Sequence, residues 1–133
     1  MRKFLVAAAL TGAVATGLSA APAAQAATDT TASSTNWGNY FSSNGKAYSY
    51  GRTYKSGGYV HTYWYGKEKF GGDKKYGYVW FEYYKDGSWH KFSRFFNGKG
   101  NDHWSKRDVK KIYTYTCWGS TPFKYCGGKH RIY

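Results

Sequence analysis

Tyr48, Tyr50, Arg52 and Tyr54 alternate with Ala47, Ser49, Gly51 and Thr53 until Lys55-Ser56-Gly57-Gly58 breaks the run. A side-chain period of two belongs to a β-strand, and a glycine-rich break belongs to a turn. The next run, residues 59–65, places Val60, Thr62 and Trp64 on one face and Tyr59, His61, Tyr63 and Tyr65 on the other. Gly71-Gly72-Asp73 then closes a basic connection. The clearest hairpin follows: residues 78–84 and 89–96 flank Lys85-Asp86-Gly87-Ser88, and Asp-Gly takes up the positive φ angles of a two-residue turn. Asn97-Gly98-Lys99-Gly100-Asn101 reads as a loop, residues 102–109 as an irregular stretch or single helical turn, 110–117 as a strand and 129–133 as a last strand. With no long helical periodicity and no fixed-period repeat, the expectation is an all-β fold. Its form is a small antiparallel β-sandwich or partly closed barrel of about six strands.

The N-terminus has a different character. Met1-Arg2-Lys3 leads into an apolar run over residues 4–18, and small residues continue to Ala24-Gln25-Ala26, an A-x-A cleavage pattern. Residues 1–26 therefore read as a signal peptide, with an alternative cut after Ala23. The apolar run is shorter than the roughly 20 residues of a membrane span. Residues 27–36 read as a flexible Thr/Ser/Ala-rich tail and 37–133 as a single β domain, secreted and without a membrane span once the signal is removed.

Export places the chain in an oxidising compartment, where Cys117 and Cys126 have one intramolecular pairing open to them. A domain this small buries only about two-thirds of its unfolded surface, so a disulfide worth about 2.5–3 kcal/mol is a sizeable reinforcement. No metal is expected, because zinc takes four ligands and His130 is the only histidine near the cysteine pair in sequence. No cofactor is expected either.

Removal of residues 1–26 takes Arg2 and Lys3 with it and leaves 18 basic against 7 acidic side chains, a net charge of +11. The basic residues gather at Lys67, Lys69, Lys74 and Lys75, at Lys106, Arg107, Lys110 and Lys111, and at Lys124, Lys129 and Arg131. Such a field draws anions. Of the 107 residues that remain, 28 are aromatic, more than a core of this size encloses, so much ring surface must meet solvent or a ligand. A strand tyrosine is commonly a sheet-covering residue. Trp37 and Trp104 lie in loop-like polar surroundings and are the preferred contact residues, together with Lys106, Arg107, Lys110 and Lys111. Cations interleaved with aromatics are also the footprint of single-stranded nucleic-acid binders, but export argues against that partner. An anionic cell-envelope polymer or an extracellular protein partner satisfies the same charge.

A nucleophile with its base is not evident, and no Gly-x-Ser-x-Gly elbow occurs. A ribonuclease could be assembled from Glu82, His90, Arg94 and His103, since phosphodiester cleavage needs a base, an acid and a cation. Glu82 and His90 fall within one pairing step across the Asp86-Gly87 hairpin. The reading adopted is non-enzymatic; a carbohydrate- or cell-wall-binding module stacking on Trp37 and Trp104, and a small secreted ribonuclease, are the alternatives.

Trp37-Gly38, Ala47-Tyr48-Ser49-Tyr50, the segment Ser56-Gly57-Gly58-Tyr59-Val60-His61-Thr62, and Gly77-Tyr78-Val79-Trp80 together resemble lactococcin-type bacteriocins, compact β-sandwich antibacterial proteins of Gram-positive bacteria. The resemblance spans residues 37–96, and the Cys117 to Cys126 tail has no counterpart in it. In size and in its alanine-rich signal, the chain is also similar to the small adaptor subunits of lectin-decorated polymorphic toxin particles from actinobacteria. Both resemblances imply binding outside the cell in bacterial competition, either as an antibacterial protein or as a subunit of a toxin complex.

Overall fold

In a computed structural model of the chain, the described residues are 34–69 and 74–133. The expected signal peptide, most of the expected tail and the Gly71-Gly72-Asp73 connection lie outside them. Eight strands form: β1 (Thr35–Phe41), β2 (Ala47–Ser56), β3 (Tyr59–Glu68), β4 (Tyr76–Lys85), β5 (Ser88–Phe96), β6 (Lys99–Arg107), β7 (Lys111–Gly119) and β8 (His130–Arg131). They make two four-stranded antiparallel sheets, β1-β2-β3-β6 and β5-β4-β7-β8. The sheets pack as a sandwich and do not close into a barrel. Among the described residues there is no helix.

Both expected hairpins are present. Ser56 pairs with Tyr59 across Gly57 and Gly58, and Lys85 pairs with Ser88 across Asp86 and Gly87. All four loop residues have positive φ, at 61°, 83°, 52° and 76° respectively, the twist-matched geometry of a two-residue turn. Residues 99–107 correct the sequence reading: expected as loop and irregular chain, they are β6. Trp104 alone among them is a large apolar residue, because β6 is an edge strand and needs little apolar surface to be held. Strand β1 begins at Thr35, two residues before the expected domain boundary.

The alternation read from β2 and β3 fixes the layers. Ala47, Ser49, Thr53, Val60, Thr62 and Trp64 face inward from the first sheet, meeting Val79, Phe81, Tyr83, Ile112, Thr114, Thr116 and Trp118 from the second. Phe96, at the end of β5, fills the join between the sheets. A Cβ on Gly66 or on Gly77 would fall within its ring, so glycine is required at both for the backbones to approach it.

Hydrogen bonds satisfy much of the interior's polarity. The Trp37 indole N–H donates to Thr53 Oγ1 at 3.0 Å, and Thr53 meets Thr62 at 3.2 Å. The buried Glu68 carboxylate accepts the Trp118 indole N–H at 3.1 Å and the Gly98 amide at 2.7 Å, tying the sheets at one end.

The Cys117–Cys126 disulfide is formed. Residues 120–126 fold back over the outer face of the second sheet. There Trp80 stacks on Tyr115, donates its indole N–H to the Pro122 carbonyl at 2.8 Å, and meets Phe123 edge-on. The terminal segment lies beside β7, with Arg131 opposite Tyr113 and His130 opposite Thr114.

Candidate functional site: an aromatic and cationic sheet face

The outer face of the first sheet is left uncovered among the described residues, and its composition follows from pairing register. Directly opposite residues of antiparallel strands share a face, so the columns of β2, β3 and β6 join into rungs. In order they are Tyr48–Lys67–Lys99, Tyr50–Tyr65–Asn101, Arg52–Tyr63–His103, Tyr54–His61–Ser105 and Ser56–Tyr59–Arg107. Rungs two residues apart place the five over roughly 27 Å of sheet. Six tyrosines, two histidines, two lysines and two arginines stand on this strip. Its rungs contain no Asp or Glu.

The rings stack side by side over the sheet. Tyr50 and Tyr65 stack at 5.2 Å between centroids, Tyr54 and His61 at 4.9 Å, and Tyr63 and His103 at 4.4 Å. The Arg52 guanidinium sits 5.2 Å from the Tyr54 ring centre and 6.0 Å from that of Tyr63, while Arg107 lies 4.8 Å over Tyr59. A hydrogen bond with Tyr63, and then lost hydration, raise the Tyr54 phenol above its ordinary value. Hydrogen bonding to Tyr59 likewise raises Arg107 and keeps it cationic. Nδ1 of His61 and Nε2 of His103 are 3.4 Å apart. At the Lys67–Lys99 end, Tyr48, Tyr50, Tyr65, Lys67, Lys99 and Asn101 line an open groove of about 480 Å³.

Of the residues expected to make contact, only Arg107 belongs to this face. Trp37 and Trp104 are corrected: both are on strands, not in polar loops. Trp37 is buried at 6% exposure, its ring stacked on Tyr40 and edge-on to Phe81. Trp104 points inward against Phe81, Tyr83 and Phe92. Their polar neighbours in sequence are the solvent-facing half of the same strands. Lys106 lies opposite Val60 on the inward column, Lys110 precedes β7 and donates its amide to Tyr84, and Lys111 lies opposite Tyr84 in the second sheet. These cations are scattered over the molecule.

The ribonuclease constellation is likewise dispersed. Glu82 pairs with Lys91 and His90 with Tyr83, so Glu82 and His90 project from opposite faces of their hairpin. His90 stacks on Tyr83, on the inward side of the second sheet, and Arg94 shares its column. His103 is on the outer face of the first sheet, with that sheet between it and His90. Glu82 is instead engaged by Lys129 at 2.8 Å. Among the described residues no three His, Cys, Asp or Glu side chains are grouped to hold a metal ion.

The tyrosine column carried a legible signal. Once Gly57-Gly58 is a hairpin turn, Tyr48, Tyr50, Arg52 and Tyr54 must share a face with Tyr59, His61, Tyr63 and Tyr65. Joining β6 to it required the long-range register. No protein-family model matches the chain, and no curated protein or solved structure matches it.

Proposed function

We propose that the chain is a secreted, non-enzymatic binding protein that attaches through the tyrosine and cation face of its first sheet to an anionic glycan of the cell envelope, in the service of bacterial competition. The observation that carries this is the five-rung strip: stacked rings with two lysines and two arginines over roughly 27 Å, with no carboxylate among its rungs. Flat rings supply apolar contact to sugar faces at low entropic cost, and the cations supply attraction to an anionic polymer. The strip is long and open, which suits an extended polymer better than a small enclosed ligand. A disulfide and the N-terminal signal pattern support action outside the cell. The lactococcin resemblance supports competition as the setting, with attachment to a target envelope as the first step.

Sedimentation of the purified, disulfide-bonded protein with cell walls tests the reading. Binding is expected to weaken as salt rises and to fall in Arg52→Ala and Tyr63→Ala variants that melt as the wild type does. Killing assays on related bacteria test the setting. If the protein ignores walls at low salt and instead co-purifies with a secreted protein, envelope attachment is wrong.

A further inference from the structure

We propose that the groove at the Lys67–Lys99 end of the strip is a subsite for an acidic sugar, a uronic acid whose ring packs against the exposed side of the Tyr50–Tyr65 stack and whose carboxylate sits between the two lysines. The inference rests on the glycan reading above and names the ligand class for one part of that face.

Lys67 and Lys99 are directly opposite each other across β3 and β6. Like charges in that position repel and weaken a sheet, and neighbouring strands usually offer a counter-charge instead. Among the described residues none is offered here. Glu68, adjacent in sequence, faces the interior and is committed to Trp118 and Gly98, and Asp102 lies on the inward column of β6. An anion bound between the two ammonium groups would relieve the repulsion that their pairing creates.

The next rung supplies the rest of a sugar site. Tyr50 and Tyr65 stack nearly parallel, at 17° with centroids 5.2 Å apart, and are 41% and 44% exposed, so they cover one another in part and the stack presents its remaining ring surface, edges and hydroxyls to solvent. Asn101, opposite Tyr65, offers both a donor and an acceptor suited to hydroxyl groups. These five side chains, with Tyr48, line the groove of about 480 Å³, room enough for a sugar ring. A phosphate polymer with a flexible polyol backbone would satisfy the lysines but leave both rings unused. A uronic acid uses all of them.

The test titrates the disulfide-bonded protein with four probes: an oligogalacturonate, its fully methyl-esterified form, poly(glycerol phosphate) and a single-stranded oligonucleotide. Lys67→Met, Lys99→Met, their double variant and Arg52→Met are compared with the wild type, melting temperatures serving as the folding control. The oligogalacturonate is expected to bind best, with each lysine variant losing about tenfold, the scale of one charge-assisted hydrogen bond. The ester should bind no better than the double variant binds the acid. Equal or tighter binding of poly(glycerol phosphate) or the oligonucleotide overturns the proposal. Loss on Arg52→Met with the lysine variants unaffected removes the subsite and leaves the face reading intact. No binding of any probe removes the subsite and counts against the face reading as well.

Discussion

The hydroxyls of Ser49 and Thr116 lie 2.6 Å apart in the closed interior, one contributed by each sheet and both fully buried. The pair is a polar contact between two strands separated by most of the domain. Replacing one partner leaves the other hydroxyl dehydrated and unpaired, at a cost of about 1–3 kcal/mol. Thr116→Val and Ser49→Ala should each destabilise the domain by that amount in urea unfolding. The double variant should cost less than the two together, since it strands neither group. Strict additivity would show that the two hydroxyls do not stabilise each other.

Phe96 offers a second test, because it occupies the space that side chains at Gly66 and Gly77 would need. Gly77→Ala should destabilise the domain by about 1–3 kcal/mol through overpacking. Adding Phe96→Leu should return part of that loss, as a smaller side chain can move aside. A Gly77→Ala variant as stable as the wild type would mean that the sheets separate more readily than their packing indicates.

Acid stability should depend on Glu82. Burial, the largest single influence, pushes its carboxyl up, but the hydrogen bond from Lys129, the neighbouring Tyr115 phenol and the charges of Lys129 and Lys91 bring it below the usual carboxylate range. A carboxyl held lower in the folded state than in the unfolded one contributes stability above its unfolded pKa. That contribution is lost as pH falls through the folded value. Lys129→Met should therefore lower the melting temperature near neutrality and leave it nearly unchanged at a pH below both values. A deficit that persists undiminished in strong acid would point to lost packing of the lysine stem.

Reduction or Cys117→Ser should lower stability by about 2–4 kcal/mol, the cost of opening a short loop and disturbing a buried half-cystine. The terminal segment has anchors of its own. Ile132 is buried at 2% exposure, its amide donates to the Ile112 carbonyl, and the Gly127 amide donates to that of Thr116. Hydrogen exchange should therefore quicken first in residues 118–126, while the Ile112 and Ile132 amides stay protected. Free thiols in the native protein, or an unchanged melting temperature after reduction, would overturn this account.

Local chemistry determined the strands and the turns between them. Alternation in residues 47–54 and 59–65, with Gly57-Gly58 and Asp86-Gly87 as the only chain there able to take two successive positive φ angles cheaply, defined the hairpins and which residues of β3 face inward. The cysteine pairing was legible too, because two cysteines leave one choice. What the sequence could not show was decided by register between distant segments. β6 has the composition of a loop and becomes a strand only because β3 offers it a hydrogen-bonding edge. Trp37 and Trp104 look exposed beside polar neighbours, yet the opposite sheet supplies the apolar surface that draws them in. The rung that sets Lys67 against Lys99 joins residues 32 positions apart, and no local pattern encodes that pairing. Side-chain period is a property of each strand alone, whereas the composition of a sheet face is a property of how strands are aligned.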